Sequence, residues 1–213
     1  MTDGSAGDTG AGETGARETD APDPVVRLET ERLVLDAVVP SDAPRIAEFC
    51  QDPELQRWVP VPQPYTLDHA TSFATDYASS SRSGRHPASD GVVLWAIRLE
   101  GELAGVIELR LEPVRSATVG FWLARSRRRA RLMDEALAAV IDLGFDPTAL
   151  DLQRIHWQAV AGNVPSAMIA RRAGFRFEGT ARKSMVHRDE RVDAWQASLL
   201  RSDPRSRAGG WPL

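Results

Sequence analysis

The stretch Trp157-Gln158-Ala159-Val160-Ala161-Gly162-Asn163-Val164-Pro165-Ser166, followed by Ala173-Gly174-Phe175-Arg176-Phe177-Glu178-Gly179, reads as a strand, a capped helix and a second strand. Asn163 is a residue type whose side chain accepts a first-turn N–H. Pro165 loses nothing in that turn, where backbone N–H groups have no helical partner, and Gly174 supplies the left-handed residue that stops the helix. A helix N-terminus therefore lies beside the end of a strand. Its unpaired N–H groups suit partial negative charge, such as a departing thiolate or a carbonyl oxygen under attack. An ordinary strand-helix-strand unit carries the same caps, so the reading of function needs wider support.

Working outward, Leu132, Ala136 and Val140, with Met133, Leu137 and Ile141, recur at helical spacing up to Gly144-Phe145 and predict a core-facing helix. Before it, Val92 to Leu99, Leu103 to Leu111 and Ala117 to Leu123 read as an antiparallel meander, with Glu100-Gly101 as the first hairpin turn. Arg27 to Val39 alternates like a strand until Pro40-Ser41-Asp42 opens a helix through about Cys50. Pro60, Pro62 and Pro64 stiffen a loop before a second helix from about Leu67 to Ser79, which a Ser/Arg/Gly loop follows to Asp90. Ile155 to Val160, the Asn163 helix, Phe175 to Glu178 and Val192 to Leu200 complete the pattern. The predicted class is α/β (mixed α+β), a mixed central sheet of about seven strands flanked by about four helices.

The chain has 213 residues, 42% of them hydrophobic, enough for one sizeable core. Residues 1–24 hold no large apolar side chain beyond Met1 and carry six carboxylates against Arg17 alone, so they are expected as a disordered acidic tail. With the whole chain at −4, the remainder stands at about +1, and the strongly basic folded part that a nucleic-acid binder needs is missing. The domain is expected over 25–201, and the turn-forming, charged segment 202–213 as a frayed tail carrying Trp211. No basic and apolar leader and no run of about 18 apolar residues occurs, so a cytoplasmic protein without membrane contact is expected. Cys50 is the sole cysteine and the four histidines lack ligand-like pairing, so no metal is expected and Cys50 receives no role. Lys183 is the sole lysine, and the arginine excess reads as a coding bias or as a preference for bidentate anion contacts.

Five strings in order resemble the GCN5-related N-acetyltransferases (GNAT superfamily), in the branch that acetylates ribosomal-protein N-termini. They are Glu29-Thr30-Glu31-Arg32-Leu33-Val34-Leu35, Asp52-Pro53-Glu54-Leu55-Gln56-Arg57-Trp58, Gly101-Glu102-Leu103-Ala104-Gly105, Gly120-Phe121-Trp122-Leu123, and Asn163 through Gly179. The resemblance implies the GNAT fold, acetyl-CoA as acyl donor, and direct attack by a primary amine in a ternary complex. It also implies that the strands at 117–123 and 155–160 splay, so that backbone of Phe121, Trp122 and Leu123 holds the pantetheine arm like an added strand. The acceptor, a small-molecule amine or a protein N-terminus, stays open, as does the oligomeric state, a homodimer included.

Acetyl transfer from a thioester needs a neutral amine, donors for the carbonyl oxygen and a proton for the leaving thiolate. By the resemblance, Ser166 supplies that proton; the alternative for a serine near a helix start is backbone capping. Relatives with a tyrosine one turn later differ here, where the residue is Ala170. Asn163 orders the turn and binds pantetheine or acceptor, or only caps. Glu108 either points across the sheet to the acceptor and relays a proton through water, or joins Arg110 and Glu112 in a solvated stripe. Many relatives place a glutamate where this chain has Thr118. Trp58 lines the acceptor pocket or packs the core, and Trp122 has the same two readings.

The family's CoA phosphate loop carries two glycines before the helix, and here the loop reads Arg128-Arg129-Ala130-Arg131 ahead of Leu132. Arg129 and Arg131 occupy both glycine positions. Glycine there takes φ > 0 and lets N–H groups approach a pyrophosphate, whereas a guanidinium pairs with phosphate through its side chain. Three readings follow: an active CoA enzyme, a non-catalytic GNAT-like binding domain with impaired CoA binding, and an acyltransferase for a different anionic donor.

Overall fold

The computed structural model describes residues 26–78 and 91–213. The acidic segment 1–24, Ser79 and the loop leading to Asp90 lie outside the described residues. The strands are β1 (Leu28–Glu29), β2 (Leu33–Asp36), β3 (Gly91–Leu99), β4 (Glu102–Glu112), β5 (Ser116–Leu123), β6 (Arg154–Val160), β7 (Arg176–His187) and β8 (Glu190–Leu200). The helices are α1 (Ala43–Phe49), α2 (Pro53–Trp58), α3 (Leu67–Ser72), α4 (Leu132–Phe145) and α5 (Val164–Arg172). One sheet runs in the order β1-β2-β3-β4-β5-β6-β8-β7. Every neighbouring pair is antiparallel except β5 and β6.

The eight strands and five helices exceed the predicted seven and four at two places. The alternating run from Arg27 breaks where the Thr30 N–H returns to the Leu33 carbonyl at 2.9 Å, which makes a hairpin of one expected strand. The additional helix, α2, starts at Asp52, whose side chain accepts the Glu54 N–H, with Pro53 in the first turn. The strand expected at 175–178 continues to His187 and turns at Arg188-Asp189, both at positive φ, the conformation of a two-residue hairpin loop. The second helix continues past Ser72 as a wider π-type turn, Phe73–Tyr77.

Strand periodicity divides the core. Ile107 and Leu109 of β4 join Trp95, Val119 and the buried face of α4 on one side of the sheet. Val106 joins Leu94, Ala96, Ile46, Leu55 and Ala70 on the other side, under α1–α3.

The segment 202–213, expected to fray, is docked. Trp211 is 8% exposed, its ring centroid lies 5.3 Å from that of Trp157 and 5.4 Å from that of Phe177, and its indole N–H donates to the Phe175 carbonyl at 3.1 Å. Burying one indole with its N–H satisfied outweighs the polar, turn-forming composition around it. Gly174 takes φ +99° to end α5, and a Cβ there would stand 2.6 Å from the Pro204 carbonyl oxygen, so the docked segment requires the same glycine.

Candidate active site

β5 and β6 pair in parallel from Ser116↔Arg154 to Val119↔Trp157 and no further. β5 stays bonded to β4 as far as Leu123, and β6 to β8 as far as Val160, so the two facing edges beyond Val119 and Trp157 bound a gap inside the sheet. A cavity of about 1030 Å³ fills this gap, reaching the α1–α3 layer on one side and the N-termini of α4 and α5 on the other. Ser166, Asn163, Glu108, Phe121, Trp122, Leu123, Arg128, Arg129, Arg131, Leu132 and Trp58 all line it. Ala130 does not; its carbonyl instead accepts the Arg32 guanidinium at 3.1 Å.

Asn163 does what its position before a helix demands. Its Oδ1 accepts the Ser166 N–H at 3.3 Å, and the residue is 8% exposed. Ser166 is thereby relieved of capping. Its hydroxyl oxygen accepts the Trp157 indole N–H at 3.1 Å, which leaves the hydroxyl hydrogen available to the cavity. Ala170 one turn on is fully buried and has no transferable proton.

Arg129 and Arg131 stand at φ +67° and +58°, so the backbone holds the left-handed conformation of the replaced glycines. For L-residues this costs about 1–2 kcal/mol each. Arg131 is the N-cap of α4 and makes no side-chain cap bond, so the first-turn N–H groups at the cavity wall keep their donor capacity. Both side chains are exposed, and no carboxylate among the described residues pairs with either. Arg128 lines the cavity and is held by three partners: the Leu123 carbonyl at 3.1 Å, Asp52 at 2.6 Å and Glu54 at 3.5 Å. It ties the loop to α2.

Of the two readings of Glu108, the solvated stripe fails: the residue is 8% exposed. Tyr77 donates its phenol hydrogen to Glu108 Oε2 at 2.7 Å, and Arg110 approaches Oε1 at 2.5 Å. Gly120 is the cross-strand partner of Glu108, and a Cβ there would come within 3.0 Å of the carboxylate, so the glycine makes room for it. Burial first, then the bond to Glu108, pushes the Tyr77 phenol up to about 12, so it remains a donor throughout the neutral range. Thr118, in the place of the family's glutamate, gives its hydroxyl hydrogen to Glu112 at 2.5 Å. Cys50 also lines the cavity, but burial pushes its thiol up to about 12, where it is no nucleophile.

Trp58 carries the Arg57 guanidinium 4.7 Å from its ring centroid at the cavity wall. Trp122 packs against the α1–α3 core as well as lining the space. Tyr77, Tyr65 and Phe73 also line it and escaped the sequence reading, and Arg110, read there only as a neighbour in a solvated stripe, lines it too. One signal for two of them was present, because Phe73 and Tyr77 are four residues apart in an expected helix and their rings stack at 5.3 Å.

The model of the acetyltransferase (GNAT) domain family matches residues 32–176 of this chain. The chain belongs to the GNAT acetyltransferases. Among GNAT relatives, the provisionally named ribosomal N-acetyltransferase YdaF of Bacillus subtilis is 26% identical over 178 residues, which are 81% of this chain and 93% of YdaF. The structure of Mycobacterium smegmatis RimJ in complex with CoA-disulfide superposes with a TM-score of 0.69 at 24% identity, covering 84% of this chain and 88% of RimJ. The microcin C7 self-immunity acetyltransferase MccE, in complex with acetyl-CoA and AMP, shares the fold at a TM-score of 0.69 and 15% identity, over 80% of this chain and 93% of MccE. The GNAT fold, the enzyme class and the likeness to the ribosomal-protein acetyltransferase branch expected from the sequence all hold. Among the described residues, no helix is long and apolar enough to cross a membrane.

Proposed function

We propose that this GNAT enzyme transfers an acetyl group from acetyl-CoA to a primary amine, a protein N-terminus or a small-molecule amine, by direct attack with both substrates bound. The observation that carries the reading is the single cavity joining the open β5–β6 edges, the uncapped N-terminus of α4, Ser166 and Glu108. The residues fit the donor. The free edge of β5 at Phe121–Leu123 suits a pantetheine arm, and the left-handed loop with two unpaired guanidiniums ahead of α4 suits a pyrophosphate.

When bound, acetyl-CoA supplies the acyl group as an activated thioester. Ser166, held as an acceptor by Trp157, directs its hydroxyl hydrogen to the leaving sulfur. Glu108, with two of its lone-pair positions taken by Tyr77 and Arg110, keeps others for the acceptor ammonium and takes its proton directly or through water. Asn163 fixes the turn that carries Ser166. The arginines in the glycine positions give no support to a non-catalytic domain, because the backbone there keeps φ > 0.

Titration calorimetry of the full chain with acetyl-CoA, paired with thiol release in the presence of a mixture of primary amines, tests the proposal. Saturable binding and amine-dependent release are expected. Absence of both overturns it.

A further inference from the structure

We propose that the acceptor is a primary amine with a single positive charge and an apolar, aromatic-sized body, an inference that rests on the acetyl-transfer reading above. Glu108 marks the acceptor half of the cavity. Val106, two residues before it on β4, packs under α1–α3, so the Glu108 side chain stands on that face of the sheet. Arg129, Arg131 and the start of α4 belong to the donor half.

Tyr77 touches Glu108, and the lining that the segment from α2 to Tyr77 contributes to the same cavity is largely apolar and aromatic, with Trp58, Tyr65 and Phe73 beside the polar Ser72 and His69. Ring faces of this kind hold an apolar body and tolerate one ammonium beside them.

Charge narrows the class further. The described lining contains three carboxylates and five arginines. Each carboxylate already faces an arginine of the same lining: Glu108 meets Arg110 at 2.5 Å, Glu54 meets Arg128 at 3.5 Å, and Asp134 meets Arg172 at 2.8 Å. A first ammonium is received by the remaining lone pairs of Glu108. A second or third ammonium finds no unpaired carboxylate among the described lining residues, so a polyamine or an aminoglycoside is disfavoured. The same chemistry is offered by a free arylalkylamine and by a polypeptide that begins with a large apolar residue.

The test compares kcat/KM at saturating acetyl-CoA for four amines: 2-phenylethylamine, a neutral peptide beginning with phenylalanine, spermidine and kanamycin. One or both of the first two should exceed the last two by at least about tenfold, and whichever leads identifies the source. Phe73→Ala should raise KM for the leading amine about tenfold and leave KM for acetyl-CoA unchanged. Phe73→Leu, a gentler change with the same sign, replaces it if the alanine variant does not fold. Preference for spermidine or kanamycin overturns the inference and leaves the acetyl-transfer reading standing. So does acetyl-CoA binding without turnover of either apolar amine. Absence of acetyl-CoA binding and of all acetylation removes both.

Discussion

Trp157 on β6 donates its indole hydrogen to the Ser166 hydroxyl on α5 across 3.1 Å, so a core tryptophan fixes which way the serine's own hydrogen can be given. Trp157 is 1% exposed and cannot turn to another acceptor without disturbing the core. Ser166→Ala should lower kcat about 10²–10⁴-fold and leave the calorimetric affinity for acetyl-CoA unchanged, because thiolate protonation matters only as the C–S bond breaks. Trp157→Phe keeps the hydroxyl but frees its orientation, and should lower kcat by less. Wild-type turnover in a folded Ser166→Ala enzyme would leave water as the proton source.

The loop before α4 makes a second prediction decisive. Because Arg129 and Arg131 already hold φ > 0, replacing both with glycine gives the backbone no new reach and removes two guanidiniums. Acetyl-CoA affinity should fall about tenfold and its dependence on salt should flatten. The melting midpoint should hold or rise, since about 1–2 kcal/mol of strain per site is relieved against the larger chain entropy of glycine. Tighter binding by the double variant would show that backbone contact, not side-chain charge, limits the site.

Glu108→Gln keeps an acceptor for Tyr77 but removes the proposed base, and kcat at neutral pH should drop about 10²–10⁴-fold. Tyr77→Phe leaves the carboxylate in place with one bond fewer and should cost less. Rates over pH 6–9 for the three proteins check the order, and equal loss in both variants would mean that Tyr77 does more than hold Glu108.

His156 supplies a pH test of stability. Burial, reinforced by Arg154, lowers its pKa below the ordinary 6.5, so the folded state resists the proton that the unfolded state accepts. Stability is unaffected by this group above pH 6.5. It falls as pH drops through 6.5, and levels off below the folded value. His156→Gln should flatten denaturant midpoints between pH 7 and 5 relative to wild type. Parallel curves for the two proteins would count against it.

What the sequence disclosed followed local rules. The Asn163 cap, the Gly174 stop, the face of α4 and the meander are each set by a few neighbouring residues, and each stands as read. The positive φ at Arg129 and Arg131 has no local signal in an Arg-rich run; only the resemblance, whose loop carries glycine at both positions, pointed to it. The failures were long-range. Nothing near Glu108 announces Tyr77, which arrives from a different element, and nothing near Arg128 announces Asp52. Trp211 had the composition of a loose end around it, and only the fold brings Trp157 and Phe177 within reach.

That last contact reaches the chemistry. Trp211 packs on the ring of Trp157, and Trp157 holds Ser166. Ser166 is synthesised before the ring that braces its neighbour. The serine's setting is therefore incomplete until Trp211 has been made and has docked, and any group fused at Leu213 sits two residues from the brace. A fusion at that position tests the proposed proton donor whether or not the experimenter intends it.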